Sequence, residues 1–404
     1  MSVKSSVHEA TAEDQALEAL HEEIRQFIAA NRPHVAVRRG SRAPEPEDIP
    51  EIRAWMAKLY GAGYLGASWP EEHGGRPDAH PLQAVALVEE LARAGAPMPI
   101  GAHDLASGAI YTFGSDAQKA HYLPRIRRSD DLWCQLFSEP NAGSDLASLQ
   151  TAARWNGTEY VVNGQKVWTT NGHHADLGFL LARTDPDVPK HAGITAFVLD
   201  MRSPGVEVRP LREITGTSDF NEVFFQDVRV PAENVIGAVG DGWRVANETL
   251  SRERHGSAGL PVAIQRHFEE MVMSARRREG KAQGRVADGW VRQELARMYA
   301  RVQVCVYLNL SSLQRSLMGR STVADAPINK VFSSELNYDM TNLGVQLAGP
   351  RALLASDSPE SFDGGHWQDD FLYARAYTIA GGSNEVMRNV LGERALGLPR
   401  EPKP

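Results

Sequence analysis

Only two cysteines, Cys134 and Cys305, occur in 404 residues. That is too few for a disulfide framework, and their separation suits neither a zinc nor an iron–sulfur ligand set. No run of about 18 apolar residues is present, so no bilayer-spanning helix is expected. Residues 1–10 lack the apolar stretch of a secretory signal. Basic residues are in the minority, 43 against 51 acidic, and the formal charge of -8 weighs against nucleic acid or an anionic membrane as the main partner. A local basic pocket for a small anion remains compatible with that balance. Also missing are a Gly-x-Ser-x-Gly elbow and a His-Glu-x-x-His pair, so neither a serine hydrolase nor a zincin has a motif behind it. What is present, 42% apolar and 23% charged residues, suits a folded chain. The length exceeds one usual core, and a reduced, cytoplasmic, multidomain protein is the expectation.

Three regions follow one another. Residues 1–131 read as helical: Leu20, Ile24, Phe27 and Ile28 recur at three- and four-residue steps. Ser115-Asp-Ala-Gln118 has the form of a capping box. Residues 132–238 read as strands. Three Asn-Gly pairs at 156–157, 163–164 and 171–172 signal hairpins, and β-branched and aromatic runs such as Ile194-Thr-Ala-Phe-Val-Leu199 surround them. An antiparallel sheet or small barrel is predicted. From 239 to 404 the helical period returns, with Leu295, Met298, Val302, Cys305 and Leu308 along one face and breaks at Gly349-Pro350 and Gly381-Gly382. A helical bundle is predicted there.

Some signals mislead. Gly61-Ala-Gly63-Tyr-Leu-Gly66 spells a dinucleotide fingerprint, but an amphipathic helix rather than a strand precedes it, so a glycine-rich helix exit is the better account. His173-His174 has no carboxylate or cysteine at ligand spacing and reads as a turn pair. Others point to chemistry. Ser138-Glu-Pro-Asn-Ala-Gly-Ser-Asp145 is a loop of small residues able to approach an anionic or heteroaromatic ligand, or else an ordinary polar connection. Trp168-Thr-Thr170 ends a predicted strand, where an indole beside hydroxyls could stack on a flat ring or simply fill the core. Ala380-Gly-Gly-Ser-Asn-Glu385 precedes a helix predicted over 386–396 and makes a donor-rich turn.

Taken together these motifs resemble the flavin-dependent acyl-CoA dehydrogenases. The loop at 138–145 is similar to the family's T/S-E-P-x-A-G-S-D. Asn163-Gly-Gln-Lys-Val-Trp-Thr-Thr-Asn-Gly172 resembles its N-G-x-K-x-W hairpin, and the 380–394 stretch its C-terminal signature. The resemblance runs through nearly the whole chain. It implies a multidomain α+β fold: an N-terminal α-helical domain, a central antiparallel β domain and a C-terminal four-helix bundle. It further implies FAD, an acyl-CoA substrate, an electron-transfer flavoprotein as electron acceptor, and a homo-oligomer (dimer or tetramer) or a heterotetramer with a related subunit. Phe137, Ser138, Gly143 and Ser144 would line the flavin and its pyrophosphate. Trp168 would pack on the ring and Thr170 bond its edge, with Gly381, Gly382 and Ser383 on the far side. Gln346 and Gly349 match part of a half-site that one subunit donates to its partner, although Pro350 replaces a glycine and Arg276-Arg-Arg-Glu-Gly-Lys281 lacks the usual Phe-Gly.

In such enzymes a carboxylate removes the α-proton of the thioester while the β-hydrogen leaves as hydride to flavin N5, with donors polarising the carbonyl. The commonest base position is occupied here by Ala380, which has no acid but whose backbone N–H could serve the carbonyl. A minority pattern, including isovaleryl-CoA and long-chain enzymes, carries the base on a bundle helix before an arginine. Glu253 and Arg254 fall on those positions, and the resemblance makes Glu253 the base and puts Ser144 and Arg254 on the substrate. Read without the family, Ser251-Arg-Glu-Arg254 could equally be a solvated helix face. A non-catalytic subunit and an oxidase-like flavoenzyme are the competing readings. Members with alanine at the usual base position often take bulky or branched acyl groups, steroid side chains among them.

Overall fold

A computed structural model describes residues 12–35, 37, 42–67, 69–100, 102–255, 260–281, 283–355 and 358–400, with side chains described throughout except at 12 and 251–255. Five helices come first: α1 (Ala12–Asn31), α2 (Ile49–Gly61), α3 (Gln83–Ala94), α4 (His103–Phe113) and α5 (Asp116–Arg128). Ile24 and Ile28 of α1 meet Trp55 and Leu59 of α2 and Leu87 and Leu91 of α3 in one apolar cluster, the three-and-four spacing becoming a buried stripe. Ser115 and Gln118 form the expected reciprocal cap on α5. The segment from Gly61 is indeed a helix exit, with Gly63 and Gly66 at positive φ.

The strands are β1 (Trp133–Leu136), β2 (Ala152–Trp155), β3 (Glu159–Thr170), β4 (Leu177–Arg183), β5 (Ile194–Asp200), β6 (Val206–Leu211), β7 (Phe220–Pro231) and β8 (Val235–Ile236). They form one sheet, ordered β6-β7-β3-β2-β4-β5-β8, with β1 also beside β4. The expectation of an antiparallel sheet holds for most pairs, but β1 and β2 each run parallel to β4. Parallel neighbours need a long crossover, and residues 137–151 supply the one between β1 and β2.

Only one Asn-Gly pair makes the predicted hairpin. Asn156 Oδ1 accepts from the Thr158 and Glu159 amides at 2.9 and 3.0 Å, turning β2 into β3. Asn163-Gly164 lies inside β3 as a bulge. Asn163 exchanges two 3.0 Å bonds with Asp227 there, and a Cβ on Gly164 would stand 2.6 Å from Thr151 Oγ1. Asn171-Gly172 turns the chain toward β4, which does not pair with β3. The dipeptide reports a positive φ, and a bulge satisfies that as well as a hairpin does.

The C-terminal helices are α6 (Gly242–His255), α7 (Leu260–Arg278), α8 (Gly289–Leu317), α9 (Asp325–Ala348), α10 (His366–Ile379) and α11 (Asn384–Val390). α7 to α10 make the four-helix bundle around Met271, Leu295, Met298, Val302, Leu336, Met340 and Trp367. Gly344 is required where Trp367 crosses α9, because a Cβ would lie 2.2 Å from its ring. α6 stands apart from the bundle. Val245 and Ala246 join the core formed by α4, α5 and one face of the sheet. α11 begins two residues earlier than predicted, because Ser383 caps it, and it runs into a π turn at Leu391–Ala395.

Candidate active site

The loop after β1 is built on a buried ion pair. Glu139 accepts from the Gln150 and Thr151 amides at 2.6 and 2.9 Å and meets Lys166 Nζ at 2.8 Å. Lys166 is fully buried and also donates to the Phe137 carbonyl at 2.9 Å. Burial pushes the Lys166 ammonium down to about 8, with Glu139 opposing. Burial likewise pushes Glu139 up, but Lys166 and the amides outweigh it and hold the carboxyl below its usual range. Thus the loop is pinned to β3 from inside. Both residues lie within motifs that the sequence displays, yet nothing in their spacing marked them as site-forming.

On this frame Gly143 and Ser144 are exposed, and a Cβ on Gly143 would meet nothing within 4 Å. Ser138 is half-buried, its carbonyl accepting from Val167 at 2.9 Å. Phe137 corrects the expectation: its ring is 3% exposed and packs edge-on against Phe179, so it belongs to the core instead of lining an open face.

Trp168 is the reverse case. A register shift between Lys166 and Thr169 gives it a φ of 61° and leaves the indole 60% exposed, edge-on to Phe220. An apolar ring held outward by a left-handed residue is not filling a core. Beside it Thr170 is half-buried, while Thr169 Oγ1 and Asn171 Oδ1 are buried without a hydrogen-bond partner among the described residues. Asn221 braces this end, donating to the Thr169 carbonyl at 2.9 Å and meeting His173 Nδ1 at 3.0 Å. The described residues hold no group of three or more potential metal ligands.

The helical side is the turn between α10 and α11. Gly381 and Gly382 have φ of 65° and 89°, and Ser383 accepts from the Val386 amide at 3.3 Å. The Ala380 N–H does not stand free as expected: it donates to the Ala376 carbonyl at 2.8 Å, ending α10. Lys330, unremarked in the sequence, clamps the turn from α9 by donating to the Thr378 carbonyl at 3.2 Å and to Asn384 Oδ1 at 2.7 Å. Ser334 Oγ reaches the same Asn384 oxygen at 3.1 Å. A cleft of about 450 Å³ opens here, lined by Glu335, Tyr338, Thr378, Asn384 and Arg388 among others.

Gln346 and Gly349 do not join this turn. Gln346 lies twelve residues beyond Ser334 on α9, about 18 Å along a helix axis, and both are exposed. Glu253 and Arg254 lie on α6, but their side chains fall outside the described residues. One buried cation ties the two sides together. Arg42 meets Asp219, next to Phe220, at 2.8 Å and Asp369 of α10 at 3.0 Å, and lies over the Tyr373 ring.

Comparison with known proteins fits this geometry. Residues 14–130, 134–228 and 240–396 match the acyl-CoA dehydrogenase N-terminal, middle and C-terminal domains. The chain is 38% identical over 397 residues to the acyl-CoA dehydrogenase IpdE1 of Mycobacterium tuberculosis, covering 96% of this chain and all of that one. The chain belongs to the acyl-CoA dehydrogenase family. Among solved structures, the Tcur3481-Tcur3483 steroid ACAD superposes with a TM-score of 0.84 at 30% identity, covering 96% of this chain and 98% of that one. The ChsE4-ChsE5 complex from Mycobacterium tuberculosis gives 0.81 at 31%, covering 98% and 100%.

Acyl-CoA dehydrogenases are FAD-dependent, and the residues present fit that cofactor. The open backbone at Gly143, the outward Trp168 indole and the orphaned Thr169 hydroxyl make a face with one flat apolar surface and unspent polar atoms beside it. Ser138, Ser144 and Thr170 would hold a flavin there by hydroxyl and backbone contacts, and Trp168 by its ring. No described helix is long and apolar enough to cross a membrane.

Proposed function

We propose that this acyl-CoA dehydrogenase converts an acyl-CoA thioester to its trans-2-enoyl-CoA with Glu253 as the base, passing electrons to an electron-transfer flavoprotein. FAD, when bound, supplies the two-electron acceptor that takes the β-hydrogen as hydride. Glu253 takes the α-proton, and a carboxylate can do so near neutral pH only where poor solvation lifts its pKa. The observation that carries the reading is the α10–α11 turn. It offers alanine where the usual acid stands, and its Ala380 amide is spent on Ala376, so the proton acceptor must come from another element. α6 supports that role, since it packs on α4 and the sheet instead of joining the bundle. Arg254 follows the base and, with Ser144, would contact the substrate.

Glu253→Gln tests it. FAD absorbance should persist while bleaching by acyl-CoA thioesters under argon falls by at least about a thousandfold, the scale of losing a general base. Near-normal turnover in that variant overturns the assignment.

A second reading, that the chain shares its sites with a related subunit, is favoured by the remoteness of Gln346 and Gly349 from the Ala380 turn. Two of the similar solved structures carry paired protein names, one of them called a complex. One is called a steroid ACAD, and we infer a bulky acyl group for this chain as well.

A further inference from the structure

In the first two turns of α4, His103, Leu105, Ala106, Ser107, Ala109 and Ile110 are buried, and Gly108 partly so; Asp104 alone is exposed. Its carboxyl makes no hydrogen bond or ion pair with any described residue. Only its backbone carbonyl is engaged, accepting from Ser107 Oγ at 3.3 Å. Yet loss of water holds this acid above the ordinary carboxylate range. A carboxylate on an open convex surface keeps its hydration and its ordinary value. Accessible and dehydrated at once, Asp104 stands in a recess.

The packing of α4 on α6 says which recess. The Arg244 guanidinium lies over the Phe113 ring at 4.7 Å. Five residues back along α4 and five on along α6, Gly108 faces Thr249, whose methyl would be 3.8 Å from an added Cβ. The helices therefore cross antiparallel, and the next turn sets position 104 of α4 opposite position 253 of α6. Gly108 contributes no side chain between them.

We infer that Asp104 is a specificity-determining residue that accepts a hydrogen bond from a hydroxyl on the acyl portion of the thioester, an inference that rests on the dehydrogenase reading above. A purely hydrocarbon acyl group would strip the remaining water from this carboxylate and return nothing, whereas an alcohol donates to it directly. Hydrogen bonds to a charged group are worth about 10- to 100-fold in discrimination.

The experiment uses the purified FAD-loaded enzyme and pairs of acyl-CoA thioesters that differ by one hydroxyl, placed at successive positions beyond the β-carbon. Bleaching and kcat/KM are read for the wild type, Asp104→Asn and Asp104→Leu. Wild type should prefer at least one hydroxylated member about 10- to 100-fold over its deoxy counterpart, and Asp104→Leu should bring that ratio close to one, chiefly through KM. Gly108→Val, which fills the recess and keeps the acid, should raise KM for the preferred member. If both members of every pair lose activity equally in the Asp104 variants, or the ratio is unchanged, the inference is overturned while the dehydrogenase reading stands. If no thioester bleaches the wild-type flavin, that reading falls and this one with it.

Discussion

At His103, one residue before the inferred specificity acid, burial sets the charge state. Burial pushes the imidazole down to about 4, the Arg53 guanidinium adding to the effect and the Ile100 backbone partly opposing it. The unfolded chain binds a proton near 6.5, so between 6.5 and 4 the unfolded state carries more protons and stability falls as pH falls. The wild type should therefore lose on the order of 2 kcal/mol more than His103→Gln between pH 7 and pH 5, measured by chemical denaturation. Equal losses in the two proteins would mean that this histidine titrates normally in the fold. The position was legible only as part of a predicted helix. Periodicity finds a buried face, but it cannot say that an imidazole on that face is held neutral.

Secondary-structure elements fail or succeed as frames for the loops they carry. The loop at 137–145 depends on Glu139 and Lys166, two charges that a motif string displays without saying that they meet 27 residues apart. Removing one partner of a buried pair leaves the other uncompensated. Lys166→Met should destabilise the protein by about 3–5 kcal/mol and lower FAD retention on gel filtration. Glu139→Gln, which can still accept from the Gln150 and Thr151 amides, should cost less. A Lys166→Met protein with wild-type stability and flavin content would show that the pair does not organise the loop. The bulge that turns Trp168 outward has the same origin in long-range pairing: β3 must keep register with β7 on both sides of an extra residue.

For the whole molecule, the open question of assembly is one of surface. On α8, Tyr299, Leu310 and Leu317 fall on one face and are 53%, 50% and 61% exposed. Apolar area of this kind is ordinarily covered, and the half-site residues Gln346 and Gly349 need a neighbour if they are to reach a flavin. Chain expressed alone should not be a fully flavinylated monomer. An oligomer with one FAD per chain indicates self-pairing. Sub-stoichiometric FAD that rises on co-expression with a related subunit indicates the shared assembly. Ultracentrifugation with flavin absorbance distinguishes them, and a monomer holding one FAD overturns both.

Local signals carried far in this protein. Helical stripes, the capping box at Ser115 and the order helical, β, helical were all readable, because each depends on residues a few positions apart whose burial follows from period and composition. The motifs at 138–145, 163–172 and 380–394 were readable for the same reason, as short strings with short-range geometry. What only the tertiary structure decided depends on partners far along the chain. Such are the parallel strands beside β4, the bulge at Gly164, the burial of Phe137, the spent Ala380 amide, and the clamps of Lys166, Lys330 and Arg42. A side chain's environment is set by whatever the fold brings against it, and no period in the sequence encodes that neighbour.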